Sequence, residues 1–433
     1  MDIQSNWKLG RAAQLSFPAT GTGLITCLTI HDDTIISASD DSSITITDIN
    51  TGKFIKSLQG HKGGVWSMEV FGNSLVTGST DRTVRIWDIQ AGLCTHIFTG
   101  FTSSVRSLAL VIPALLKGDK PEPLAPLIVA GSRDASIRVW CLPDPADPEY
   151  NDPEPDVWLL HTLQGHEKTV RAIDAIGNVL VAGSYDNAVS VWDLETGQLA
   201  HRMEGHENQV TCIALHSASN RCFSGSLDNT IRVWDTVTGE CIKVLKKHYD
   251  NVHSLTLTTD YLVSASADGN VRIWSLDSLE CEQIIICYPL GAKHLFADDN
   301  MLLTGSIQGV QMWNIKTGRL VKDLITDIDC VQHMVVDERR CVTVTCTNDI
   351  IGFRVLDFGA EPKEVELEDN TDEAVEFTDI VEDSKSSKET KDTEKVQVEE
   401  PAEEVEARDV NDIIYQDENK PNTIIFNREE IAV

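Results

Sequence analysis

The 433-residue chain carries 36 basic and 68 acidic side chains for a formal charge of −32, and residues 360–433 alone hold 25 acidic and 8 basic ones. Both that segment and the remainder would repel a phosphate polymer on average, so nucleic acid is not expected as a partner; no apolar run approaches the length of a membrane span, so no membrane is expected either. Eleven cysteines, with no CxxC pair and no metal-ligand spacing, read as reduced thiols; MDIQSNWKLG has no secretory signal core, and the expected location is nucleus, cytoplasm or both.

Residues 1–12 are polar and read as a linker-like segment. Gln14 to Phe17 has the pattern of a strand, expected to pair with the last unit of the chain and so hide otherwise open strand edges. From residue 13 to residue 359 the chain repeats. A weak first unit carries Ser39-Asp40-Asp41 and Asp48. The second, GGVWSMEVFGNSLVTGSTDRTVRIWD from Gly63 to Asp88, shows the plan most plainly. Val65 to Val70 and Leu75 to Thr77 are short β-branched or apolar runs, and Gly72-Asn73 between them supplies a turn. After the polar Ser79-Thr80-Asp81-Arg82, the stretch Thr83 to Trp87 alternates polar and apolar side chains, which gives a strand with one buried face.

The same signals return at Ser132-Arg133-Asp134 with Trp140, Ser184-Tyr185-Asp186 with Trp192, Ser226-Leu227-Asp228 with Trp234, and Ser266-Ala267-Asp268 with Trp274. Weaker copies close the series at Ser306 with Trp313 and at Thr347-Asn348-Asp349 with Leu356-Asp357. A spacing of roughly 40 residues is that of propeller blades. The expectation is an all-β propeller of about eight four-stranded blades. The third unit is interrupted by VIPALLKGDKPEPLAP from Val111 to Pro126 and by PDPADPEYNDPEPD from Pro143 to Asp156. Proline and acidic residues forbid regular strand there, and both connections should lie on the face opposite the SxD turns. Residues 360–433 form an acidic tail whose composition predicts disorder, with small apolar islands at Ile413-Ile414-Tyr415 and Ile424-Ile425-Phe426.

His61, Ser79 and Asp81 together suggest a hydrolase, but His166, Ser184 and Asp186 repeat the set, as do His206, Ser226 and Asp228. An enzyme does not need one copy per blade, so these residues are expected to fix turns and strand tryptophans, and no enzyme activity is expected. There is no P-loop, no strand-to-helix GxGxxG and no clustered ligand set, so neither cofactor nor metal is expected.

Arginine is the residue that stands out. Arg106 and Arg171 begin first strands, while Arg133 and Arg82 sit in the turn before a third strand. Both locations open toward one end of a propeller, and Arg106, Arg133 and Arg171 belong to adjacent blades. Guanidinium forks on a rigid rim suit a phosphate dianion, since each donates two charge-assisted hydrogen bonds in fixed geometry. Trp66 and Tyr185 would add flat apolar walls.

The repeating Gly-His, SxD and VWD signals resemble WD40 repeats. GGVWSM, GSTDRTVRIWD, SSVRSL, AGSRDASIRVW, TVRAI, AGSYDNAVSVWD and VLDFG further resemble the eight-bladed propeller of the F-box/WD40 cell-division-control family, the phosphodegron-binding substrate receptors of SCF ubiquitin ligases. The resemblance implies that Arg106, Arg133 and Arg171 bind the phosphate of a phosphothreonine-proline degron. It implies that Trp66 lines the proline pocket and that Arg82, Ser103, Ser104 and Tyr185 border the groove. Phosphorylated proteins are then the expected partners. The family's F-box precedes the propeller, and here only Asn6-Trp7 resembles the segment just after it, so no F-box is expected ahead of the first blade. SCF components therefore stay an open partner, and the alternative is a WD40 scaffold or phosphoprotein-binding module without ligase attachment.

Overall fold

The second unit folds as its alternation requires: Val65–Phe71, Ser74–Ser79, Val84–Asp88 and Leu93–Phe98 make a four-stranded antiparallel meander. Gly72 takes a left-handed φ of 55° at the tight turn between its first two strands, a conformation that glycine adopts without strain. The computed structural model describes residues 3–360, apart from 20–22, 116–119, 146, 148–149, 151–156, 288–291 and 349. Within them the meander occurs eight times, as an eight-bladed β-propeller. The acidic tail expected over 360–433, with its two apolar islands, lies outside the described residues from 361 onward.

A single blade is buried on both faces only when its neighbours stack on it. Val76, Val84, Ile86 and Phe98 of blade 2 share one core with Val105, Leu108, Ile128, Ala130 and Trp140 of blade 3. Each such fully buried large side chain stabilises the fold by about 1.5–3 kcal/mol. The first strands of successive blades touch one another in an unbroken cycle, from Ile25–His31 in blade 1 through Val65–Phe71, Val105–Val111, Val170–Ile176, Val210–His216, Val252–Leu257 and Ala292–Ala297 to Cys330–Val336 in blade 8. They form the inner wall.

Blade 8 takes its fourth strand from the other end of the chain. Ala13–Pro18 pairs antiparallel with Ile350–Asp357, with Gln14 opposite Leu356 and Phe17 opposite Phe353. The segment read as linker-like contains a helix, Ile3–Leu9, that adds to this closure. Trp7 stacks on Phe358 with ring centroids 3.4 Å apart, its indole N–H donates to the Glu338 carbonyl at 2.9 Å, and the Asn6 amide donates to the Phe358 carbonyl at 2.8 Å. Trp7 thus enters a core with Met301, Val310, Met312 and Leu356, across the seam between blades 7 and 8.

In the third blade, Ala114 and Glu122 pair across the first insertion. The second reaches sideways to blade 2, where His96 Nε2 hydrogen-bonds the Tyr150 carbonyl at 2.8 Å and the two rings meet edge-on. Because the strands are antiparallel, both insertions leave the blade at the end opposite the Ser132–Ser136 turn.

The repeated His, Ser and Asp residues divide into two separate structures. In blade 2 the Thr77 hydroxyl receives the Trp87 indole N–H at 2.9 Å and meets His61 Nε2 at 2.8 Å, while His61 Nδ1 meets Asp81 at 2.8 Å. Ser79, expected to join this relay, does not. Its hydroxyl donates instead to the Gly63 carbonyl at 2.9 Å and accepts the Asp81 N–H at 3.1 Å. The same relay runs through His206, Ser224 and Trp234 in blade 5 and through His248, Ser264 and Trp274 in blade 6. In blade 4 the hydroxyl position is Ala182, and His166 Nε2 is buried without a hydrogen-bond partner.

Candidate functional site

Every first strand opens with the same irregularity. The register shifts between the first and third residues of the ladder, as at Val105 and Ser107 or Val170 and Ala172, and one residue later in blade 8, so the residue between them is a bulge. A bulge turns one side chain out of the ladder and re-aims it, a device favoured beside functional sites. Around the inner wall the bulge residues are Thr26, Trp66, Arg106, Arg171, Thr211, His253, Lys293 and Gln332. They form one ring of side chains at the end of the propeller that carries the SxD turns.

A second ring surrounds the first. The middle residue of each SxD turn donates its backbone N–H to the chain just ahead of an inner strand: Asp40 to Leu24, Thr80 to Gly64, Arg133 to Ser104, Tyr185 to Thr169, Leu227 to Gln209 and Ala267 to Asn251. The Arg133 bond is 2.8 Å, and it ties that turn to the root of Arg106. Arg106 and Arg133 therefore occupy one corner of blade 3, and Arg171 occupies the inner-ring position next to it.

The remaining expected site residues distribute around this corner. Ser103 and Ser104 form the approach to Arg106, and the Ser103 carbonyl accepts the Ser132 hydroxyl at 3.2 Å. Trp66 lies on the other side, with the Arg106 guanidinium carbon 4.8 Å from its ring centroid. Arg82 is exposed at a left-handed φ of 69° in the blade 2 turn, further out than the two rings. Tyr185 occupies the turn position of blade 4 that matches Arg133, but it is only 8% exposed, so most of its ring is covered by protein.

Two carboxylates also lie on these inner strands, Asp174 with Arg171 and Glu69 with Trp66. Asp174 accepts the Leu215 N–H at 2.7 Å, and its carboxyl is raised by burial. Glu69, further along the strand from Trp66, is pushed up to about 7 by burial and by Asp174. Among the described residues Arg171 makes no ion pair. On the opposite side of the ring the bulge positions hold His253 and Lys293. Burial, then the Lys293 ammonium, pushes the His253 imidazole down to about 4, so at neutral pH only Lys293 carries charge there. At the bulge and middle-turn positions, blades 3 and 4 thus carry Arg106, Arg133 and Arg171, whereas blades 5 and 6 carry Thr211, Leu227, His253 and Ala267.

The sequence places Arg106 and Arg171 alike at the start of first strands, but the bulge that sets their direction, and Trp66's, is not visible in it. The position itself is marked. In seven of the eight units the bulge residue follows the hydrophobic that opens the inner strand, as in Ile25-Thr26, Val65-Trp66, Val105-Arg106, Val210-Thr211, Val252-His253 and Ala292-Lys293, and in the eighth it is Gln332 after Val331. Among the described residues no group of three His, Cys, Asp or Glu could hold a metal ion, and no helix is long and apolar enough to cross a membrane.

The WD domain, G-beta repeat family matches residues 52–88, 92–141, 158–193, 197–235 and 239–275. The chain is 35% identical over 373 residues to WD repeat-containing protein pop1 of Schizosaccharomyces pombe, covering 80% of this chain and 48% of that protein. It is 33% identical over 370 residues to Cell division control protein 4 of Saccharomyces cerevisiae, covering 79% of this chain and 47% of that protein. The chain therefore spans about half the length of the curated relatives it matches. The crystal structure of the computationally designed Ika8 protein superposes with a TM-score of 0.65 at 26% identity, over 78% of this chain and 98% of that one. Five matched repeats within eight closed blades, beside relatives named for the same repeat, identify the chain as a WD40-repeat β-propeller.

Proposed function

We propose that the cationic corner of blades 2 to 4 binds phosphorylated Thr-Pro or Ser-Pro segments of other proteins, and that the chain is the substrate-recognition part of an SCF-type ubiquitin ligase, selecting proteins for ubiquitin-dependent degradation. The observation that carries the first half is the placement of Arg106 and Arg171 at matching bulges of neighbouring inner strands, with the Arg133 turn hydrogen-bonded to the root of Arg106. Inner strands hold the roots of Arg106 and Arg171, and a backbone hydrogen bond to Ser104 holds the Arg133 turn, so the entropy lost on ordering the forks around one phosphate is small. The ligase half is supported by the motif resemblance and by a relative whose name is Cell division control protein 4.

The test is titration of a doubly phosphorylated Thr-Pro peptide against the wild type and Arg133→Ala. Truncating one member of a phosphate clamp leaves charge poorly paired, which costs about 2–5 kcal/mol, or roughly thirtyfold and more in affinity. Equal affinities, or no preference over the unphosphorylated peptide, would overturn the phosphopeptide reading. Partners that persist after phosphatase treatment would point to a general scaffold. Failure to co-purify with the ligase adaptor would remove the ligase half alone.

A further inference from the structure

The bulge ring has a direction. In blade 1 the Thr26 hydroxyl donates to the Val65 carbonyl, and in blade 5 the Thr211 hydroxyl donates to the Val252 carbonyl at 2.5 Å. In both cases the side chain of one blade reaches the root of the next inner strand. Trp66 occupies that position in blade 2, and it has no hydroxyl to give. What it meets on the next strand is Arg106, at 4.8 Å from guanidinium carbon to ring centroid.

Its own setting leaves the indole little room. A Cβ placed on Gly64 would lie 2.8 Å from the Asp40 carbonyl oxygen and 3.2 Å from Trp66 Nε1, so the absence of a side chain at that residue is what lets the indole edge sit against the blade 1 turn. Held at that edge, the ring presents a face toward blade 3. A guanidinium over an indole face is attracted by the ring quadrupole, more strongly as water is excluded.

We propose that Trp66 is a positioning residue for Arg106. It holds the guanidinium by cation–π contact before the ligand arrives, and so sets affinity for the phosphate itself, equally whether or not a proline follows. This deepens the phosphopeptide reading and rests on it. An arginine that is already ordered loses less rotamer freedom when it binds, which is the general basis of preorganised affinity.

The consequence separates this role from that of an apolar wall. Two peptides identical except for phosphothreonine-proline or phosphothreonine-alanine are titrated against wild type, Trp66→Leu and Trp66→Phe, and against Arg106→Ala with and without Trp66→Leu. Trp66→Leu should weaken both peptides by the same factor, about five- to thirtyfold. Trp66→Phe, which restores a π face, should recover most of that loss. In the Arg106→Ala background Trp66→Leu should have no further effect. A loss confined to the proline peptide, or an undiminished loss in the Arg106→Ala background, would overturn the proposal.

A readout free of any peptide covers the case in which the phosphopeptide reading itself fails. The Arg106 Nε–H and Hδ resonances of the whole chain should be shifted upfield by the Trp66 ring current. That shift should vanish in Trp66→Leu while the thermal melt of the variant stays unchanged. No upfield shift in the wild type would refute the positioning role whatever the peptide does.

Discussion

Replacing Trp7 by alanine tests whether closure of the ring depends on the N-terminal helix as well as on the strand that follows it. Trp7 is 6% exposed, stacks on Phe358 at 3.4 Å and donates a 2.9 Å hydrogen bond to the Glu338 carbonyl. Emptying a site of this kind typically costs about 3–5 kcal/mol, transfer and cavity together. The hydrogen bond is about 1 kcal/mol of that, because Glu338 regains water when the indole leaves. Trp7→Phe, which keeps the stack and loses the N–H, should therefore cost close to 1 kcal/mol and Trp7→Ala about 4. A propeller with about 5–15 kcal/mol of stability would survive either change, with a lower denaturation midpoint. Urea unfolding gives the two free energies, and hydrogen exchange locates the effect. Amides of Arg340–Thr347 and Ile350–Asp357 should gain exchange in Trp7→Ala while those of Val170–Ile176, on the far side of the ring, should not. If Trp7→Ala unfolds at the wild-type urea concentration, the helix contributes nothing to closure and the clasp is the strand Ala13–Pro18 alone.

Asp81→Ala should cost about 2–4 kcal/mol in urea unfolding, because the carboxylate accepts from His61, the Lys62 N–H and both donors of Thr83, whereas Ser79→Ala should cost about 1; equal losses would contradict the relay described above. Stability should fall with acid in two steps. Burial, aided by Arg272 at His248, by Lys293 at His253 and by His333 at His294, pushes these imidazoles down to about 4, 4 and 3, and burial pushes His333 to about 4. The unfolded chain takes up protons on these rings from about pH 6.5 downward while the folded one does not, so the denaturation midpoint should begin to drop there. The second step lies below about pH 4: burial alone would raise Asp81, Asp186, Asp228 and Asp268, but their hydrogen bonds outweigh it and hold them well below the usual carboxylate range, and that stabilisation is lost as they protonate. A midpoint flat from pH 7 to pH 4 would refute the histidine step. Thiol labelling of the native protein at pH 8 should modify Cys241 first, since it alone is exposed, while burial pushes Cys27, Cys212 and Cys341 up to about 12 and Cys287 to about 11; rapid labelling of any of those four would mean that the blades open.

The blades were legible because each repeats a pattern of period two, with Trp87, Trp140, Trp192, Trp234 and Trp274 marking the same strand each time. Repetition also removed the hydrolase reading of His61, Ser79 and Asp81, although it could not tell which hydroxyl the histidine meets. Thr77 and Ser79 are two residues apart on one strand, so both are candidates by spacing, and only the turn geometry sends Ser79 to the Gly63 carbonyl. His248 completes the blade 6 relay without the glycine that precedes His61, His166 and His206, so a search for the Gly-His pair misses it. Asn6-Trp7 stands out in the sequence, but the part Trp7 plays in closing the ring does not, for a different reason. In a polar segment of twelve residues a single tryptophan sets up no periodicity, and its partners Phe358 and Glu338 lie more than three hundred residues away.

One repeat can serve both structure and recognition because its positions divide between the two. Positions that face a neighbouring blade are fixed by packing: Val65, Val105, Val170, Val210 and Val252 are all fully buried and of one type. The very next residue is lifted out of the ladder by the bulge, so the β-ladder itself does not dictate its type. It is threonine, tryptophan, arginine, histidine, lysine or glutamine from blade to blade. Variation at a position of constant geometry indicates that chemistry, not stability, chose the side chain. A cluster of one charge at such positions is therefore better evidence for a ligand than the same residues scattered over third strands, where Arg85 and Arg138 lie over the aromatic rings of Trp87 and Phe101. By that criterion the inner ring from Trp66 to Arg171, with the Arg133 turn above it, is where this propeller departs from what its own repeat requires.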